Sequence, residues 1–293
     1  MPSPHWPTPA HRTSRAPSST SSPVPTDGRC WPTPGSARPE RPPLRRGSAA
    51  TGESFPRGRG WPNETFVARP KEKHVKIGII GAGDIGGTLT RRLRAVGHEV
   101  AVANSRDPET LADLASETGA TAVWAKDAAT DADLVIVSIP QKNTPDLASG
   151  ILSARKPGAP VIETNNYYPQ QRDGKIDAIE DGTPESVWVS ELLGEPVVKA
   201  FNGIWWKHLL NKGVPAGTEG RIALPIAGDD ADAKKIVSAV IDEIGFDVVD
   251  AGSLADSWRQ QPGTPVYGKD FGVDATVDAL AQATPERTAE WKA

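Results

Sequence analysis

One cysteine and one methionine occur in 293 residues, and both lie within the first thirty positions. The lone Cys30 excludes an internal disulfide, and its position leaves everything after it without thiol catalysis or a cysteine-based metal centre. No apolar run approaches the length of a membrane-spanning helix. Lysine is missing from the first seventy residues, which hold ten arginines and four acids; the remainder is acidic, and the whole chain has a formal charge of −4. An acidic folded part argues against a nucleic-acid partner. We expect no membrane partner either, and a cytoplasmic location.

The first seventy residues contain fifteen of the 28 prolines, interspersed with Ser, Arg, Gly and Thr. No apolar periodicity survives there, so a packed core is excluded and residues 1–72 are expected to be a disordered extension. No apolar segment of a secretory signal follows Arg45-Arg46, and the proline content is too high for an amphipathic transit peptide. Arginine without lysine fits upstream coding sequence read through a start placed too early, with a true start expected near Val67 or Val75.

The chain is organised around residues 74–100. Val75 to Ile80 reads as a buried parallel strand, and Gly81-x-Gly83-x-x-Gly86 follows it directly. Ile85, Leu89, Leu93 and Val96 then recur at helical spacing, with Gly97 as the stop. Between a strand and a helix each glycine has a physical task. Gly81 permits the tight turn, Gly83 lets the backbone approach a pyrophosphate, and Gly86 lets helix and strand pack closely. The amides at the helix start, at Asp84, Ile85 and Gly86, would hold the phosphates with the aid of the helix dipole.

A site selective for NAD places an acid about 20 residues beyond the glycines, on the ribose hydroxyl. Here the second strand, Glu99 to Ala103, ends in Asn104-Ser105-Arg106, and the first acid is Asp107. A hydroxyl and a guanidinium would hold a 2′-phosphate by charge-assisted hydrogen bonds, so the cofactor expected is NADP(H). The same turn also reads as the start of the next helix, with Ser105 or Asp107 as its cap.

Further strands are expected at 121–125, 133–139, 160–163, 197–201, 221–227 and 246–249, with helices at 108–117, 144–154, 184–193, 204–210 and 230–244. In the 230–244 helix the inward face is read as Ile236, Val240, Ile241 and Ile244. The alternation means βαβ units and an α/β fold built on a doubly wound parallel sheet. Ligands in such sheets bind beyond the carboxyl ends of the strands. That rule places Ser138, Ile139 and Pro140, together with Asn165, Asn166 and Tyr167, beside a nicotinamide, and Asn202 near a substrate.

With these residues assembled, the chain from about 75 to 265 resembles the NADP oxidoreductases dependent on the deazaflavin coenzyme F420. The resemblance rests on Lys76 to Gly86, Asn104-Ser-Arg106, Ala132 to Pro140, Val198-Lys-Ala-Phe-Asn202 and Ile226-Ala-Gly-Asp-Asp230. It implies that Ser105 and Arg106 hold the 2′-phosphate. It also implies a small C-terminal substrate or dimerisation lobe over 196–270 packed on a Rossmann domain over 73–195, and a homodimer, while residues 271–293 read as an acidic tail with little pattern. Asn166-Tyr-Tyr-Pro169 and Ser257 to Gly263 depart from the deazaflavin reductases and suit the broader group of dinucleotide-binding enzymes of that fold.

Hydride transfer between two flat rings needs stacking, alignment and water exclusion, with F420 or another small molecule as acceptor. Ser138, Pro140, Asn166, Tyr167 and Asn202 are the residues expected around the reacting atoms. A rival reading is reduction of a carbonyl or imine, which needs a proton donor from among Tyr167, Tyr168, Lys199 and His208. Ferric reduction is a further variant. A redox sensor that binds NADP(H) without turnover is the alternative from a different class. No metal ligand set is expected.

Overall fold

The computed structural model describes residues 74–147 and 149–293; the expected disordered extension over 1–72 lies outside the described residues. Six short runs of mostly small and β-branched residues form one sheet: Lys76–Ile80 (β1), Glu99–Ala103 (β2), Thr121–Ala122 (β3), Leu134–Val137 (β4), Val161–Glu163 (β5) and Val198–Lys199 (β6). Their order is β3-β2-β1-β4-β5-β6, and every pairing is parallel. Both faces are covered, which is why Ile77, Ile79, Val135, Ile136, Val137 and Ile162 are all fully buried. The winding direction reverses between β1 and β4, and that reversal opens a crevice at the carboxyl ends of the strands.

Helix Asp84–Ala95 (α1) presses Leu89 and Leu93 into the core. The Asp107 carboxylate accepts the Glu109 N–H and caps the 3-10 turn Pro108–Leu111, which leads into Ala112–Thr118 (α2). Short helix Asp177–Glu180 (α3), helix Glu185–Leu193 (α4) and helix Trp206–Asn211 (α5) follow. A second, two-stranded parallel sheet pairs Ala223–Ile226 (β7) with Asp247–Asp250 (β8), joined by Ala231–Glu243 (α6). The Asp230 carboxylate caps α6 by accepting the Asp232 and Ala233 N–H groups. An antiparallel bridge from Lys199 to Ala227 connects the end of β6 to the end of β7. No helix among the described residues is long and apolar enough to cross a membrane.

Four expectations change. Where a helix over 144–154 was expected, the described residues form a 3-10 segment (Gln141–Asp146) and turns at 149–154, because Pro145 and a left-handed Gly150 interrupt the ladder. In α6 Val240, Ile241 and Ile244 are buried as expected, but Ile236 is 42% exposed and Val237 is buried in its place. The pair Val198–Lys199 belongs to the first sheet, bonded to β5, although the lobe was expected to begin before it. Residues 271–293 are no patternless tail. Helix Val273–Ala281 (α7) buries Thr276, Ala279 and Leu280 against β7 and β8, and Ala283 continues the same face.

Candidate active site

The glycine turn is built as its spacing requires. Gly81 has a φ of +109°, and a Cβ there would sit 2.0 Å from the Ser138 carbonyl oxygen. At Gly86 a Cβ would meet the Gly81 oxygen at 1.9 Å, so α1 and β1 pack through that residue. Gly83 differs: a Cβ there would meet nothing within 4 Å. It is the N-cap of α1 with no side-chain cap, so the first amides of the helix point unclaimed into an open lane.

On one side of that lane lies a cleft of about 1020 Å³. Its floor is the tip of β2. The Asn104 side chain accepts the Arg106 N–H at 2.8 Å and donates to Thr110 Oγ1 at 2.9 Å, so it shapes the turn rather than reaching out. That leaves Ser105 and Arg106 exposed, and the Arg106 guanidinium has no ion pair or hydrogen bond among the described residues. Lys126 lines the same cleft and is equally unpaired, beside a Trp124 that is 49% exposed. A lane that only a missing Cβ leaves free, open helix amides and two uncommitted cations fit a dinucleotide carrying a 2′-phosphate.

On the other side lies a cavity of about 490 Å³, which shares Gly83, Ser138, Ile139 and Pro140 with the first cleft. The two are halves of one groove meeting at the tip of β4. Ser138 Oγ accepts from Thr164 Oγ1 at 2.9 Å, and the Ile139 N–H donates to Asn165 Oδ1 at 3.2 Å. Asn166 Nδ2 donates to the Asn202 carbonyl at 2.8 Å, and Asn202 Nδ2 returns to Asn166 Oδ1 at 3.1 Å and to the Gln260 carbonyl at 2.7 Å. These amides fasten the ends of β5 and β6 to each other, with little capacity left for a substrate. Phe201, just before Asn202, is a buried non-glycine residue held at a φ of +61°, the kind of backbone strain that clusters at functional sites.

Tyr168, Arg172, Trp205 and Tyr267 complete the wall. Tyr167 does not join them. It is 0% exposed, its hydroxyl accepts the Ile176 N–H at 3.0 Å, and its ring lies under the Arg287 guanidinium at 4.9 Å. Successive side chains past the end of β5 point to opposite faces, so Tyr167 enters the core and Tyr168 the cavity. His208 is also off the groove, bonded through Nδ1 to Asp270 and edge-on to Trp205 at 4.8 Å.

Lys199 lies under the floor and is fully buried. Its Nζ donates to Glu163 Oε1 at 3.0 Å and to the Asn165 carbonyl at 3.1 Å. Ser186 Oγ donates to the same carboxylate, whose other oxygen accepts the Asn165 N–H at 2.9 Å. A second buried acid, Glu185, pairs with Arg287 at 2.6 Å and accepts the Tyr167 N–H at 3.1 Å. Burial pushes the Glu185 carboxyl up, and Lys199 and Arg287 oppose the shift. The spine thus ties both strand ends to the C-terminal segment. Sequence reasoning missed Trp124, Lys126, Arg172 and Tyr267. The strand-end rule applied to β3 would have found the first two.

The profile of the family described as NADP oxidoreductase coenzyme F420-dependent matches residues 76–167, which include the glycine turn, Ser105-Arg106 and Ser138 to Pro140. The chain is 31% identical to a hypothetical protein, SMa0349, of Sinorhizobium meliloti, with a TM-score of 0.57, over 68% of this chain and 95% of that one. It is 29% identical to the metalloreductase STEAP3 of Rattus norvegicus over 64% of this chain and 36% of that protein. The chain spans less than half the length of the curated relatives it matches.

Proposed function

The chain belongs to the family of NADP oxidoreductases described as coenzyme F420-dependent, and from that premise we propose that it moves hydride from NADPH to a flat organic acceptor, a deazaflavin-type ring first among them. The observation that carries the reading is the shared stretch Gly83 and Ser138 to Pro140, where the nucleotide half of the groove opens into the aromatic half. When bound, NADPH supplies the hydride. The chain's own residues do the rest. Helix amides at Asp84 and Ile85 hold the pyrophosphate, while Ser105, Arg106 and Lys126 hold the 2′-phosphate. Ile139 and Pro140 set the depth of the nicotinamide, and Trp205 with the two cavity tyrosines packs the acceptor and keeps water from the transferring atom.

NADPH deuterated at the transferring position tests this directly. With oxidised deazaflavin coenzyme as acceptor, the label is expected in the reduced ring; NADP formed without label in the acceptor would sink direct transfer. For the nucleotide half, Arg106→Gln is expected to weaken NADPH binding by about ten- to a hundredfold, about 1.4–2.7 kcal/mol. NADH binding should be unchanged, and a titration of both nucleotides reads the difference. Equal loss for the two would move the 2′-phosphate away from Arg106.

A further inference from the structure

Tyr168 and Tyr267 are 99 positions apart, yet their hydroxyls are hydrogen-bonded to each other on the wall of the acceptor cavity. Two phenols in one hydrogen bond leave one O–H uncommitted, and both residues line a cavity of about 490 Å³, large enough for a substrate. The neighbours of the pair are unequal. The Arg172 guanidinium lies 4.9 Å from the centre of the Tyr168 ring. Behind both rings stands Trp291, at 5.9 Å from Tyr168 and 6.1 Å from Tyr267. Burial pushes both phenols up, and Glu185 adds to the rise in each. The Tyr267 hydrogen bond, Arg172 and Asn166 pull Tyr168 back; Arg172 also pulls Tyr267 down, but Tyr168 pushes Tyr267 further up. Tyr168 is therefore the acid of the pair, and Tyr267 the donor that would hold its phenolate.

We propose that Tyr168 delivers the proton that accompanies the hydride, with Tyr267 as its hydrogen-bond partner. The acceptor is then an organic molecule whose hydride-receiving carbon is double-bonded or conjugated to nitrogen or oxygen, and not a metal chelate. This assignment rests on the reductase reading above and narrows its substrate class. In the step, hydride leaves the bound dihydronicotinamide with its electron pair and bonds to the acceptor carbon. The π bond to the heteroatom breaks, its electron pair goes to that heteroatom, and the heteroatom takes the Tyr168 proton. The nicotinamide is oxidised and the acceptor reduced by two electrons. The Tyr267 O–H hydrogen-bonds the phenolate until solvent in the open cavity returns a proton. An electron passed to a ferric ion would give such a pair nothing to do.

The test uses the full chain with NADPH and three acceptors: oxidised deazaflavin coenzyme, a cyclic imine and ferric citrate. At least one organic acceptor is expected to be reduced, and ferric citrate is not. Tyr168→Phe is expected to lower kcat by about a hundredfold or more, the scale of a lost general acid, with NADPH affinity unchanged. It should also abolish both the alkaline limb of the pH profile and the solvent deuterium isotope effect. Tyr267→Phe keeps the acid and shifts the alkaline limb. A Tyr168→Phe enzyme within threefold of the parent, or with its isotope effect intact, would overturn the proton assignment and leave the reductase reading standing. Ferric citrate reduced in preference to both organic acceptors would overturn it as well. No oxidation of NADPH by any of the three would overturn the reductase reading and the role of Tyr168 with it.

Discussion

Replacing Gly83 with valine is expected to leave the folded protein as stable as the parent while weakening NADPH binding by about a hundredfold or more, about 2.7 kcal/mol. The two halves of that expectation have separate causes. In the protein a Cβ at Gly83 meets nothing within 4 Å, and the backbone there, with φ −76° and ψ −159°, is extended and open to any residue. Folding therefore does not demand the glycine. The open lane is where a pyrophosphate would run against the first amides of α1, and a branched side chain would fill it. Gly81→Ala is the contrast. Its Cβ would collide with the Ser138 carbonyl oxygen at 2.0 Å, and its φ of +109° is hostile to any L residue, so stability should fall along with binding. Thermal unfolding and a nucleotide titration on both variants separate the effects. If Gly83→Val melted like Gly81→Ala, the glycine would belong to the fold and the groove would lose its lane.

The second large effect is on stability. Lys199→Met is expected to cost about 3–5 kcal/mol, because it strands a buried carboxylate. Glu163 and Lys199 are both 0% exposed, and Glu185, also fully buried, loses a positive neighbour in the same substitution. The double variant Lys199→Met/Glu163→Gln should lose less than Lys199→Met alone, since removing both charges also removes the desolvation cost of each. Lys199 also holds the Asn165 carbonyl, and the Asn165 side chain holds the Ile139 N–H. The single variant should therefore loosen the nicotinamide half of the groove and raise the Michaelis constant for NADPH. Denaturant unfolding of the two singles and the double gives the coupling. Simple additivity would mean that the two charges do not act as a pair.

Much of the nucleotide half was legible because its determinants are local. Three glycines at fixed spacing, a missing acid after β2 and a strand ending at Pro140 each act through the backbone next to them. The acceptor half is assembled from loops far apart in sequence, and no period marks them. Of two adjacent tyrosines, the choice between core and cavity depends on which face of the sheet β5 leaves behind, which the residues 166–169 alone do not reveal. Helix α7 was overlooked for another reason. Its inward positions, Thr276, Ala279, Leu280 and Ala283, have the right spacing, but threonine and alanine carry too little hydropathy to stand out among acids. Arg287 and Trp291 follow that helix, so a stretch expected to be a tail pairs with Glu185 and backs the tyrosine pair.

The most direct measurement mixes the full chain with NADPH and oxidised deazaflavin coenzyme and follows the absorbance of both rings together. The two signals are expected to fall in step, one hydride for one acceptor, and Gly83→Val to abolish both changes. Tight NADPH binding with neither signal moving, repeated with imine and carbonyl acceptors, would contradict hydride transfer and leave the groove as a binding site without turnover.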